Sequence, residues 1–184
     1  MAGRRNSLRV AAGDFRSRRL RVPAGVRPTT DRVRAAIFDA LQEQPPARVL
    51  DLFAGSGSFG IEALSRGSEF VQFVERNRNS AQVIEENLER LAMGGRADVL
   101  IADVSRADLR GMGPFGLVFA DPPYADDPWA GVFRVLSMPD VLAKAARIVI
   151  EVSSRQGVPE PPDGWSCWKV RRHGDTLFAI FSDD

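Results

Sequence analysis

The chain has 184 residues, 44% of them hydrophobic and 27% charged, which suits one globular domain with a small appendage. One cysteine, Cys167, and one histidine, His173, exclude an intrachain disulfide and a Cys/His zinc cluster, so no metal site is expected; no apolar run nears the roughly 20 residues of a membrane span, and the arginine-rich start reads as lacking a secretory signal, so the expectation is a reduced, cytoplasmic protein. The formal net charge of +1 is divided unevenly: residues 1–34 hold ten arginines against Asp14 and Asp31, the rest holds 15 basic and 22 acidic residues, and a basic N-terminal part of this kind suits contact with a polyanion.

Residues 8–12 and 19–22 alternate apolar with basic positions on either side of Gly13, which predicts a small β-hairpin with a basic face. Pro23-Ala24-Gly25 breaks the second strand, so residues 1–25 are expected to form a basic arm and residues 26–184 the main domain. Thr29 or Thr30 suits a helix N-cap, with Asp31 in the first turn and Val33, Ile37, Phe38 and Leu41 as the apolar stripe. Arg27, Arg32 and Arg34 flank that helix start, where phosphate meets guanidinium groups and free backbone N–H together. Residues 49–53 form an apolar run with Asp51 inside it, bounded by Pro45-Pro46 and a glycine cluster, which reads as a buried strand. Gly55, Gly57 and Gly60 follow, then helix-forming residues closed by Gly67, so the stretch opens a βαβ unit.

A second strand at 70–75 ends in Glu75, 20 residues beyond Gly55, where a nucleotide-binding βαβ unit places the carboxylate that accepts from ribose hydroxyls. Residues 79–93 predict an amphipathic helix with Val83, Ile84, Leu88 and Leu91 inward, stopped by Gly94-Gly95. A third strand at 97–103 ends in Asp103, a candidate partner for an adenine amino group. The near-continuous apolar run 115–120 predicts a strand buried on both faces and leads into Asp121-Pro122-Pro123-Tyr124. A helix at 129–136, a turn at 141–144, a fifth strand at 146–152 and a closing hairpin at 165–172 and 176–181 complete an α/β chain, with His173 read as a turn residue.

Two motifs carry the chemistry. Gly55-x-Gly57-x-x-Gly60 alone also fits a dinucleotide fingerprint. With Asp51 four residues before Gly55, the pattern resembles the first motif of S-adenosylmethionine-dependent methyltransferases, in which the acid faces the amino acid end of the cofactor. That cofactor is cationic at its ammonium and sulfonium, and an acid beside the turn would repel a pyrophosphate. Phe53 and Ser56 in the turn, Arg76 after Glu75 and Val104 after Asp103 complete the candidate cofactor site. Asp121-Pro122-Pro123-Tyr124 resembles the motif of methyltransferases acting on exocyclic amino nitrogens, and these four are the candidate catalytic residues. The lone pair of such a nitrogen is delocalised into the ring. Hydrogen bonds to the Asp121 carboxylate and Pro122 carbonyl would favour a pyramidal nitrogen, the two prolines fix φ and aim that carbonyl, and Tyr124 offers a ring to stack on the extruded base.

With the stretch 27–34, these motifs make the chain similar to the bacterial 16S ribosomal RNA guanine-N2 methyltransferase family along nearly its whole length. The resemblance implies a Rossmann-like, seven-stranded methyltransferase sheet with a small N-terminal β-hairpin extension. It implies methyl transfer from S-adenosylmethionine, with S-adenosylhomocysteine as product, to a guanine N2 in 16S ribosomal RNA. The expected partner is that RNA in the small ribosomal subunit or a late assembly intermediate, with ribosomal proteins beside it, no membrane, and the chain acting as a monomer. Arg9, Arg18, Arg19, Arg27 and Arg32, with Thr29 and Thr30, are the expected RNA contacts. Ala11, Ser17, Asn77 and His173 depart from the family's usual isoleucine, glycine, acid and tyrosine. A DNA adenine-N6 methyltransferase shares the tetrapeptide but normally needs a larger target-recognition region, a nicotinamide dehydrogenase explains neither Asp51 nor the tetrapeptide, and an RNA-binding assembly factor without activity leaves both intact motifs without a use.

Overall fold

Val49, Leu50 and Leu52 lose all exposure to solvent, as an apolar run in the middle of a parallel sheet must. The computed structural model describes residues 8–26, 29–41, 44–123 and 127–183. Its strands are β1 (Arg48–Leu52), β2 (Phe70–Glu75), β3 (Ala97–Ile101), β4 (Phe115–Ala120), β5 (Leu142–Ser153), β6 (Ser166–His173) and β7 (Thr176–Ser182). Its α-helices are α1 (Asp31–Leu41), α2 (Ser58–Ser65), α3 (Arg78–Arg90) and α4 (Trp129–Leu136). The strands form one seven-stranded sheet in the order β3-β2-β1-β4-β5-β7-β6. β1 to β5 run parallel, and β7 enters antiparallel between β5 and β6. The chain order reverses between β1 and β4, so a crevice opens beyond the carboxyl ends of those two strands.

Alternate residues of each inner strand feed two cores. Val49, Phe73 and Phe119 pack with Ile37 of α1, Ile61 of α2 and Ile84 of α3 on one face. Leu50, Leu52, Val118 and Ile148 pack with Val132 and Val135 of α4 on the other. All eight residues of α2 are buried. The helix lies so close to the sheet that a Cβ on Gly60 would come within 2.3 Å of the Phe73 ring, which is why glycine is needed there.

The N-terminal segment differs from the sequence reading. The expected hairpin is reduced to a single antiparallel bridge, Arg9 with Arg19, flanked by hydrogen bonds from Val10 N to Arg18 O (3.0 Å), Ser17 N to Val10 O (2.8 Å) and Leu20 N to Leu8 O (2.9 Å). It does not stand apart from the body, because Leu8, Val10 and Leu20 are buried in the same core as Ile37 and Phe119. Glu62 of α2, itself fully buried, accepts from Ala11 N (2.7 Å) and Ala12 N (2.9 Å), and from the guanidinium groups of Arg34 (3.2 Å) and Arg66 (2.9 Å). Gly13 lies against α2, where a Cβ would approach Ser65 O to 1.8 Å. Arg34, a candidate phosphate contact in sequence, is fully buried and bonded to Glu62, Asp31 and the Arg9 carbonyl.

β5 also begins earlier than expected. The predicted turn at 141–144 is strand from Leu142, interrupted by a register shift against β4 and by Ala145 at φ +57°. Among the described residues, no helix is long and apolar enough to cross a membrane.

Candidate active site

β1 ends in a strained turn. Phe53 has φ +57°, a left-handed conformation that costs a non-glycine residue roughly 1–2 kcal/mol, and Gly55 and Gly57 follow at +54° and +74°. Two acids hold the turn. Glu75, at the end of β2, accepts from Gly55 N through one carboxylate oxygen and from Asn77 N through the other, both at 2.8 Å. Asp51 accepts from Gly60 N at 2.9 Å. Burial drives the Asp51 carboxyl well above its ordinary range; the Gly60 N–H pulls it down, and Asp121 and Glu75 push it further up. Asn77, one of the departures from the family pattern, caps α3 by accepting from Asn79 N (2.9 Å) and Ser80 N (3.1 Å).

A cleft of about 960 Å³ runs along the carboxyl ends of the strands, at the upper end of small-molecule sites. Phe53, Gly55 and Ser56 line it from β1, Glu75 and Arg76 from β2, Asp103 and Val104 from β3, and Asp121, Pro122 and Pro123 from β4. The cleft therefore joins the expected cofactor residues to the expected target acid. Asp51 and Gly57 are not among its lining residues; Asp51 is 2% exposed and acts from beneath, by fixing the start of α2. Asp103 caps a 3-10 turn, accepting from Ser105 N (2.8 Å) and Ser105 Oγ (2.6 Å), and these bonds hold its carboxyl below the ordinary range. Tyr124 and Arg27 lie outside the described residues.

Thr29 and Thr30 line the cleft from the segment before α1. Thr30 caps α1, accepting from Val33 N at 3.3 Å. The Thr29 hydroxyl faces inward and lies 3.0 Å from Asp121 Oδ2 and 3.1 Å from Glu151 Oε2. Burial pushes the Asp121 carboxyl up to about 6, with the Thr29 hydroxyl opposing it. Of the expected RNA contacts, Arg18, Arg19 and Arg32 are exposed; Arg9 is half-buried, with its guanidinium on Ser17 O at 2.9 Å.

Sequence reasoning missed the far side of the cleft. Glu151, Ser153 and Arg155 reach it from β5, and residues His173 to Thr176 from the β6–β7 turn. His173 was expected in the turn; it is instead the last residue of β6, paired with Thr176, stacked on Phe178 at 5.7 Å and part of the cleft wall. Glu151 carried a readable signal: it is an acid near the end of an apolar strand, as Asp51 and Glu75 are.

A family model described as conserved hypothetical protein 95 matches residues 8–182. The chain is 34% identical over 177 residues to ribosomal RNA small subunit methyltransferase D of Escherichia coli (strain K12), a match covering 95% of this chain and 89% of that protein. It is 30% identical over 185 residues to the protein of the same name from Haemophilus influenzae, covering 97% and 95%. The solved structure of yhhF from Escherichia coli superposes with a TM-score of 0.83 at 35% identity, covering 96% of this chain and 97% of that one.

Proposed function

The chain belongs to the conserved hypothetical protein 95 family, and from that premise we propose that it transfers a methyl group from S-adenosylmethionine to the exocyclic N2 of a guanine in 16S ribosomal RNA. The observation that carries this reading is one continuous cleft in which Gly55, Glu75 and Asp103 share a wall with Asp121 and Pro122. The donor and acceptor chemistry fits the cofactor. Glu75 presents a carboxylate for ribose hydroxyls, Asp103 and Val104 stand where an adenine would lie, and the glycine turn leaves room for backbone approach. Bound there, S-adenosylmethionine supplies an electrophilic methyl and departs as S-adenosylhomocysteine.

The protein's own part is positioning and proton handling. The ionised Asp121 carboxylate and the Pro122 carbonyl accept the two N2–H groups and favour a pyramidal nitrogen whose lone pair is free to attack. As the N–C bond forms, N2 loses a proton, and Asp121, with a carboxyl near 6, is suited to take it and release it to solvent near neutrality. Tyr124 stacks on the flipped base. The working partner is the small ribosomal subunit or a late assembly intermediate, with ribosomal proteins beside it, in the cytoplasm, and the enzyme acts as a monomer.

The test is to treat small subunits from a deletion strain with enzyme and labelled cofactor and map the product. A single methylated guanine N2 is the expected result. No label on RNA while the cofactor binds would overturn the reading in favour of the inactive assembly factor, and label on the adenines of duplex DNA supplied in a parallel reaction, with none on RNA, would overturn it in favour of the DNA enzyme.

A further inference from the structure

The attack of an exocyclic amine depends on the direction in which its N–H groups are held, so the orientation of the Asp121 carboxylate matters as well as its charge. The torsion that turns an aspartate carboxylate is broad and roughly two-fold, and the backbone does not fix it. A partner that holds one oxygen decides where the other one points. Among the described residues, the Asp121 side chain has a single hydrogen-bond partner, the Thr29 hydroxyl, which lies 3.0 Å from Oδ2, and Oδ1 has none.

We propose that Thr29 is a positioning residue for methyl transfer: its hydroxyl fixes Oδ2 of Asp121 and so turns Oδ1 toward the N2 amine. This rests on the guanine-N2 reading above, and it gives Thr29 a different task from the RNA contact that the sequence suggests. Three observations carry it. Thr29 and Asp121 both line the cleft although 92 positions of chain separate them, so the fold and not local sequence brings them together. The Thr29 hydroxyl is anchored from a second side, 3.1 Å from Oε2 of Glu151 on the adjacent strand β5. Thr30 beside it caps α1, and a threonine side chain is stiff at χ1, so a hydroxyl held in this way sets a direction.

A hydroxyl has one proton. Glu151 has a further interaction of its own, whereas Thr29 is the one donor to the Asp121 side chain among the described residues, so the proton serves Asp121 once that acid is ionised. Burial raises the Asp121 carboxyl and the Thr29 bond opposes it, which favours the form that accepts from an amine. A Thr29 that contacted RNA instead would set how tightly the subunit binds and not how fast the bound subunit reacts. A Thr29 that merely fastened the segment before α1 would change melting and leave the saturated rate independent of the hydroxyl.

The experiment measures single-turnover methylation of small subunits from a deletion strain, at saturating S-adenosylmethionine, across a range of enzyme concentrations. Thr29→Val, which nearly keeps the shape and removes the hydroxyl, is expected to lower the saturated rate by about 10–100-fold. The half-saturating concentration, and S-adenosylmethionine affinity by calorimetry, are each expected within about twofold of wild type, as for an interaction that acts in the transition state. Thr29→Ser restores the donor and is expected to come within about threefold of the wild-type rate. An unchanged saturated rate in Thr29→Val, a loss carried by the half-saturating concentration instead, or Thr29→Ser as slow as Thr29→Val would overturn the assignment. If Thr29→Val does not bind the cofactor, Thr29→Ala, which adds no bulk, is read in its place, and loss of cofactor binding in both would overturn the assignment by making Thr29 structural. No guanine methylation by wild-type enzyme would instead overturn the reading on which the assignment rests.

Discussion

The Asp121 carboxyl, near 6 instead of its ordinary 3.8, ties activity to pH in one direction and stability in the other. Transfer needs the ionised form, so single-turnover methylation should rise as pH increases through about 6 and level off above it. Stability runs oppositely. A carboxyl whose folded value is raised holds its proton more tightly when folded, so its contribution is fully present below 3.8 and is lost as pH rises through about 6. Asp121→Asn keeps an acceptor for Thr29 and removes a buried charge facing Asp51. At pH 7 it should melt no lower than wild type, bind S-adenosylmethionine normally and lose about 10²–10³ in transfer rate. A variant that transfers methyl at the wild-type rate would remove Asp121 from the chemistry. Asp51 calls for a different test, because it works through Gly60 N. Asp51→Asn preserves that acceptor and should keep cofactor affinity within a few-fold, whereas Asp51→Ala leaves the buried N–H unpaired and should cost roughly 1–3 kcal/mol in urea unfolding. Equal loss of cofactor affinity in both would mean that Asp51 contacts the ligand itself.

At the scale of elements, the N-terminal segment and α2 form one unit around Glu62. Its two carboxylate oxygens receive two backbone N–H groups and two guanidinium groups, and Arg34 is fully buried beside it. Glu62→Gln removes the counter-charge while nearly keeping the shape, and breaking a buried pair from one side typically costs about 3–5 kcal/mol. The measurement is the urea midpoint, and an unchanged midpoint would show that the cluster carries no net stability. Removing residues 1–22 would strip Leu8, Val10 and Leu20 from the core, so that truncation should lose cofactor binding together with methylation. The sequence shows where this segment begins and ends but not what it docks on. Charge alternation reads as a free basic arm, because the Glu62 contacts span about fifty positions of chain and depend on α2 already lying on the sheet. Local patterns served well where apolar periodicity and glycine punctuation decide the element: β1, α2, β2, α3 and β4 stand within three residues of expectation at either end. They failed at the start of β5, where a bulge with Ala145 at positive φ hides strand inside what reads as a turn. The near half of the cleft was legible because its residues follow strands in sequence. The far half, Glu151 and the β6–β7 turn, joins it only through the sheet order β1-β4-β5-β7.

Across the whole molecule, residues 8–26 of the basic N-terminal part are packed onto a mildly acidic body and are not tethered to it as a separate arm. This arrangement holds its exposed arginines at fixed positions, which favours binding because little order is lost when a phosphate backbone arrives. Arg18 and Arg19 are exposed beside the Arg9–Arg19 bridge, and Arg32 is exposed on the first turn of α1, next to Thr30 at the cleft. Contacts of this kind position an RNA without reading its sequence, and each phosphate neutralised adds about 0.7–0.9 to the slope of log affinity against log salt. Replacing both Arg18 and Arg19 by alanine should therefore lower that slope by about 1.5 and weaken binding to the small-subunit substrate. Because both side chains are exposed, stability should change by no more than about 0.5 kcal/mol, and S-adenosylmethionine affinity should not move. The measurements are filter binding across a salt series and calorimetry on the same preparation. An unchanged slope would place the RNA backbone on another face of the molecule. A reduced slope with unchanged methylation at physiological salt would mean that these arginines speed encounter without holding the target guanine over Asp121.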